Sequence, residues 1–169
     1  MSAVRELMPA GIGVAMAAVV TYLALDRGWT MGPWLLGLLL FAHGWVHAMW
    51  LFPAPDPSQR KTDATSYPFA MSESWLINRL GLDAGHVRAM GTVLIALTFV
   101  AFALAALATL GWLVPAGWWE ALVLAAAGLS TVLLGAFYAT LLLLGFAINA
   151  ALAWLVLASF WAPGQGLGS

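Results

Sequence analysis

The sequence predicts an all-α fold of the polytopic integral membrane class, a helical bundle of five transmembrane helices with a cytoplasmic N-terminus. Three observations predict it. Apolar residues fill 63% of the 169 positions and charged residues only 8%, against about 45–50% and about 25% in soluble domains. Apolar runs of about 20 residues, the length that crosses a hydrocarbon layer of about 30 Å, recur along the whole chain. Lys and Arg gather on one set of the segments between those runs, as the positive-inside rule requires. A soluble body of this size lacks the volume to hide so much apolar surface.

The whole chain, 1–169, reads as a single transmembrane domain. The first span covers about 9–25 and stops at Asp26-Arg27-Gly28. Arg5 ahead of a short apolar run resembles the start of a signal peptide, but no small-x-small cleavage site follows, so the run is read as a retained span. The second span, 33–52, has Pro33 in its first turn, where a missing N–H costs nothing, and is closed by Pro53-Ala54-Pro55-Asp56-Pro57. The third covers 87–113 and ends before Pro115. From Trp118 to Trp161 the sole charge is Glu120. One helix of that length would measure about 66 Å, twice the layer, so the run must fold back. Gly135, Tyr138 and Thr140 mark the turn, giving spans of 118–136 and 140–161.

With the N-terminus inside, Arg5, Arg60, Lys61, Arg79 and Arg88 are cytoplasmic and only Arg27 is outside. Trp29, Trp34, Trp50, Trp112, Trp118, Trp119 and Trp161 fall near span ends, the positions of interfacial aromatic anchors. The cytoplasmic loop, 53–86, starts as an extended Pro-, Asp- and Ser-rich stretch. It continues into a short interfacial helix, with Ser72 as its cap, Glu73 in its first turn, Arg79 in its last and Gly81 beyond it. Gly44 and Ala48 in the second span, like Gly13 and Ala17 in the first, are small-xxx-small pairs that let helices approach closely.

Composition also excludes functions. A net charge of −1 offers no basic field for a phosphate backbone, so no nucleic acid is expected as a partner. Cysteine is absent, which removes disulfides, thiolate ligands and iron–sulfur clusters. Di-iron membrane hydroxylases share a His-x3-His spacing but use about eight histidines, and this chain has 3. Zincin chemistry needs Glu after the first histidine of the pair, where Gly44 stands. Gly128-Leu129-Ser130 lacks the glycine of an intramembrane serine-protease motif, because Thr131 follows. No catalytic residue is assigned, and enzyme is the least supported class. In length, span count and tryptophan content the chain resembles the tryptophan-rich sensory (translocator) protein family. The stretch from Asp26 to Trp34 lacks that family's Pro- and Trp-rich signature, so no residue role is carried over.

What remains is a handful of polar residues inside spans, where they are costly and normally face other helices. His43 and His47 stand four apart on one helical face, a spacing that can set two imidazoles on one metal ion. Counted along the helices, His47 lies about 7.5 Å and His43 about 13 Å above the inner end of the second span. Ser130 lies about 9 Å and Asn149 about 13 Å from the inner ends of theirs. His86 sits at the inner mouth. The expectation is one polar track, with His43, His47 and His86 as metal ligands, Glu73 or Asp83 as a further one, and Ser130 and Asn149 completing the pocket.

The expected function is a small membrane binding protein or accessory subunit with a His-lined intramembrane site. Copper or zinc is the first cofactor, since imidazole suits both; haem between His47 and His86 is a weaker fit. The alternatives are a metal-free structural subunit of a larger membrane complex, or a small transporter or ligand receptor. Expected partners are the lipid bilayer and a membrane-protein partner or a second copy, in a multi-pass chain of the cell inner membrane.

Overall fold

A computed structural model of the chain describes residues 31–51, 71, 74–137 and 142–158. The first span, the extended half of the loop, Ser72, Glu73, Trp29, Trp161 and the C-terminal end lie outside the described residues. The described elements are helical. They are α1 (Met31–Ala48), the one-turn α2 (Trp75–Asn78), α3 (Ala84–Thr109), α4 (Trp119–Ala136) and α5 (Leu143–Leu157). Tight 3-10 turns at Met49–Leu51 and Ala116–Trp118 extend α1 and lead into α4. With these turns, α1, α3 and α4 form three segments long and apolar enough to cross a membrane; α5 is a shorter apolar helix.

Packing runs in sequence order: α1 lies on α3, α3 on α4, and α4 on α5. Close approach is set by small side chains. A Cβ built on Gly44 would stand 2.7 Å from Phe102 Cβ, so α1 and α3 touch backbone to side chain there. Ala101, Ala105, Ala108 and Ala126 keep the centre of α3 and α4 equally thin. Leu35, Leu39, Val93, Leu97, Val100, Val132, Leu144 and Leu157 are exposed along the outside, an apolar surface suited to acyl chains.

Two apolar cores result. One holds Leu40, Phe102, Trp119, Val123, Leu152 and Val156. The other holds Trp50, Val87, Ile95, Leu133, Phe137 and Leu142. On every long described helix a short polar stretch separates the two: His43 and His47 between Leu40 and Trp50, Thr98 between Ile95 and Ala101, Ser130 between Ala126 and Leu133, Asn149 between Leu142 and Leu152. The bundle is layered apolar, polar, apolar.

Several expected boundaries move. Helix α3 begins at Ala84, before Val87, because Asp83 caps it by accepting from the His86 N–H at 2.9 Å. It ends at Thr109, before Leu113. Gly111, at φ 66°, brings the Trp112 N–H to Leu107 O and its own N–H to Ala108 O, the two bonds of a Schellman motif. The loop helix is capped by Ser74, whose Oγ accepts from the Leu76 N–H at 3.2 Å, so it is one turn long and Arg79 is its C-cap. Ser74 Oγ also donates to Ala136 O (2.7 Å), and Trp75 Nε1 donates to Gly135 O (2.8 Å). The loop helix thereby satisfies two carbonyls that the last turn of α4 leaves without helical partners.

The tryptophans need correction as well. Trp118 is exposed, but Trp34, Trp50 and Trp119 are buried among the helices rather than placed as interfacial anchors. Between thin, Ala- and Gly-lined helices a large ring fills space that a smaller side chain would leave open.

Two outcomes follow from this packing. Gly44→Ala forces Phe102 or α1 to shift and lowers stability by about 1–3 kcal/mol; Gly128→Ala, whose Cβ meets nothing within 4 Å, does not lower it and gains up to about 1 kcal/mol in the same thermal unfolding series. The bond from the His86 backbone N–H, chief among several contacts, holds the Asp83 carboxyl below its usual range. The stability this cap contributes is therefore present above the ordinary carboxylate range and lost as pH falls through the lowered value. Protection of the His86 and Val87 amides, taken relative to their intrinsic exchange rates, should fall on acidification in the native chain and be low throughout in Asp83→Ala.

Candidate functional site

The polar layer is one hydrogen-bonded chain across three helices. His43 and His47 project from one face of α1, their ring centroids 4.9 Å apart. His43 Nε2 lies 3.1 Å from Asn149 Oδ1, and His47 Nε2 lies 2.6 Å from Ser130 Oγ. Asn149 Nδ2 lies 2.8 Å from Ser130 Oγ and 3.2 Å from Thr131 Oγ1. All four residues are buried, at 7% exposure for His43, 1% for His47, 0% for Ser130 and 3% for Asn149. Aromatic rings enclose the imidazoles: Trp50 stacks on His47 at 4.8 Å and 16°, and Phe102 meets His43 edge-on at 4.9 Å.

The sense of the Asn149 amide can be read from one residue. Thr131 Oγ1 donates its only proton to Ala127 O, at 2.8 Å. Whatever Asn149 turns toward Thr131 must therefore be a donor, which fixes the amide nitrogen on the Ser130 and Thr131 side and the amide oxygen on the His43 side. An amide oxygen only accepts, so His43 Nε2 carries a proton and donates it. Ser130 accepts from Asn149, and its hydroxyl shares a further hydrogen bond with His47 Nε2. Where the serine proton goes to Nε2, the neutral His47 ring carries its own proton on Nδ1. The chain links His43 to Asn149, Asn149 to Ser130, and Ser130 to His47.

Of the residues expected to form the site, His43, His47, Ser130 and Asn149 meet and His86 does not. The His86 side chain is 91% exposed, and its Nδ1 lies 3.0 Å from Asp83 Oδ1. It is placed in the first turn of α3, at the end of the helix and away from the polar layer, because α3 starts at Ala84. Asp83 is occupied by the same pairing. Among the described residues no three His, Asp or Glu side chains gather as a metal would need. The donor set is poor for a metal in another respect: both Nε2 atoms are engaged, and Ser130 and Asn149 are neutral.

Three members of the layer were not expected. Trp50 stands three residues after His47, a spacing that predicts contact on a helix, yet it resembles a span-end anchor. Phe102 looks like ordinary core. Thr98 is a single hydroxyl in an apolar run, and only the register of α1 on α3 brings it level with the histidines. Comparison of the chain with protein-family models, curated proteins and solved structures finds no match.

Asn149 is the hub, so its removal leaves a histidine donor and a serine acceptor buried without it. Asn149→Ala should cost about 2–3 kcal/mol, since interhelical bonds in membranes contribute about 0.6–2 kcal/mol each and orphaned partners add to the loss. A double-mutant cycle of Asn149→Ala with His43→Ala, read by unfolding in detergent, should give a positive coupling energy. The same cycle with Thr92→Ala, whose hydroxyl bonds only Arg88 O, should give none.

Proposed function

We propose that this chain is a metal-free structural subunit of a larger membrane assembly, and that its histidines clamp its helices together. It crosses the cell inner membrane with five spans and a cytoplasmic N-terminus. The observation that carries this reading is the buried hydrogen-bond chain from His43 through Asn149 and Ser130 to His47. It uses both Nε2 atoms, both Asn149 amide atoms and the Ser130 hydroxyl internally, and it ties α1 to α4 and α5. Such a network suits an element whose work is to hold a shape. The broad apolar outer surface supports contact with lipid and with neighbouring helices.

A copper or zinc site on His43 and His47 is the weaker reading. A metal taken at the Nε2 atoms would have to break the bonds to Asn149 and Ser130 and leave those groups unpaired. A transporter or receptor is weaker again, because the polar residues are sealed between two apolar cores.

Metal content and extraction test the proposal together. Purified chain and a His43→Ala/His47→Ala variant should both carry copper and zinc far below one equivalent, and the variant should unfold at lower temperature. Extraction in mild detergent should recover the native chain with a stoichiometric membrane partner. One equivalent of metal lost with the two histidines would refute the clamp reading, and a chain recovered only as a lone monomer would refute the subunit reading.

A further inference from the structure

One end of the hydrogen-bond chain is open. If Ser130 donates to His47 Nε2, the ring proton lies on Nδ1, and Nδ1 is buried with no hydrogen-bond partner. Thr98 Oγ1 is likewise buried without a partner, on a residue of 0% exposure. Buried polar atoms are nearly always satisfied, so two in one place call for a physical reason.

The register of α1 on α3 brings them to one level. The helices run antiparallel: Gly37 faces Leu110 and Ala106, and Gly44 faces Phe102 and Phe99. Continuing that register places the turn after Gly44, which carries His47, opposite the turn before Phe102, which carries Thr98. The ring geometry agrees. Phe102 lies 4.9 Å from His43 and 6.3 Å from His47, so moving from His43 to His47 goes the same way as moving from Phe102 to Thr98. Thr98 also occupies on α3 the place His47 occupies on α1, between the two apolar cores.

We propose that His47 Nδ1 and Thr98 Oγ1 form a binding site for one internal water molecule, which accepts from the imidazole N–H and shares a hydrogen bond with the threonine hydroxyl. Trp50 covers one face of the imidazole, and Phe102 closes on its edge. Its chemistry is that of a neutral oxygen, since Ser130, Asn149, Thr98 and Thr131 are uncharged and the described layer supplies no carboxylate or ammonium to hold an ion. The water extends the chain from α1, α4 and α5 to α3, so that every long described helix joins the polar layer.

The site is tested by solid-state NMR of full-length protein, ¹⁵N-labelled at histidine, in perdeuterated lipid bilayers hydrated with ordinary water. His47 Nδ1 should carry a proton, and that proton should show a cross-peak at the water frequency. Thr98→Val should abolish the cross-peak and Thr98→Ser should keep it, while the His47 Nε2 signal stays that of an acceptor in both. An unprotonated Nδ1, a native spectrum without the cross-peak, or a cross-peak that survives Thr98→Val would each overturn the proposal. The native spectrum alone decides if Thr98→Val does not fold. None of these readouts depends on whether the chain has a partner, so this site and the subunit reading fail separately.

Discussion

A side-chain amide held between apolar cores has two donors and an acceptor to place, and within lipid it finds partners only on neighbouring helices. Asn149 is that amide. Its oxygen reaches His43 on α1, and its nitrogen reaches Ser130 and Thr131 on α4. Rotating α5 by one residue, about 100°, would carry the amide away from all three, so one residue fixes the rotation of α5 against its neighbours. Thr131 fixes the sense of the amide by giving its proton to its own helix. The proton on His43 Nε2 follows from that bond to Ala127 O.

The layer forms because the helices come close, and they come close because they are thin where they cross. Gly44 lets the α1 backbone rest on Phe102, so His43 on one side of it and His47 on the other straddle the crossing rather than hang into lipid. Ala126 and Ala127 on α4 do for Ser130 what Gly44 does for the histidines. Small residues and polar residues thus serve one design: the first set the distance, the second make only one register satisfactory. Apolar packing in lipid is weakly selective, and polar contacts supply the selection.

The apolar segments, the helical class and the inward placing of His43, His47, Ser130 and Asn149 were legible in the sequence because each rests on a local signal. Apolar run length marks segments fit to cross, an i, i+4 spacing puts His43 and His47 on one face, and polar cost inside a span marks Ser130 and Asn149 as inward. His86 was expected at the inner mouth as a ligand, but nearness to a helix end does not say which way a ring points. In the first turn of α3 it is exposed and paired with Asp83, away from the layer. The buried tryptophans were missed for a related reason: proximity to a span end says how deep a ring lies and nothing about which way it faces. Thr98 needed the register of two helices, which no single segment of sequence encodes.

The loop helix matters to a site it never touches. The last turn of α4 ends in carbonyls that an apolar surrounding would leave unsatisfied, and Ser74 and Trp75 supply donors to Ala136 and Gly135. Ser74 spends one oxygen twice, accepting from its own helix and donating to α4, so the start of α2 and the end of α4 are set by a single side chain. That end of α4 carries Leu133, Leu134 and Phe137, which pack in the same apolar core as Trp50. Trp50 in turn stacks on His47. The loop helix therefore reaches the centre of the bundle through two packed rings, and the polar layer is held from its loop side by groups that never enter it.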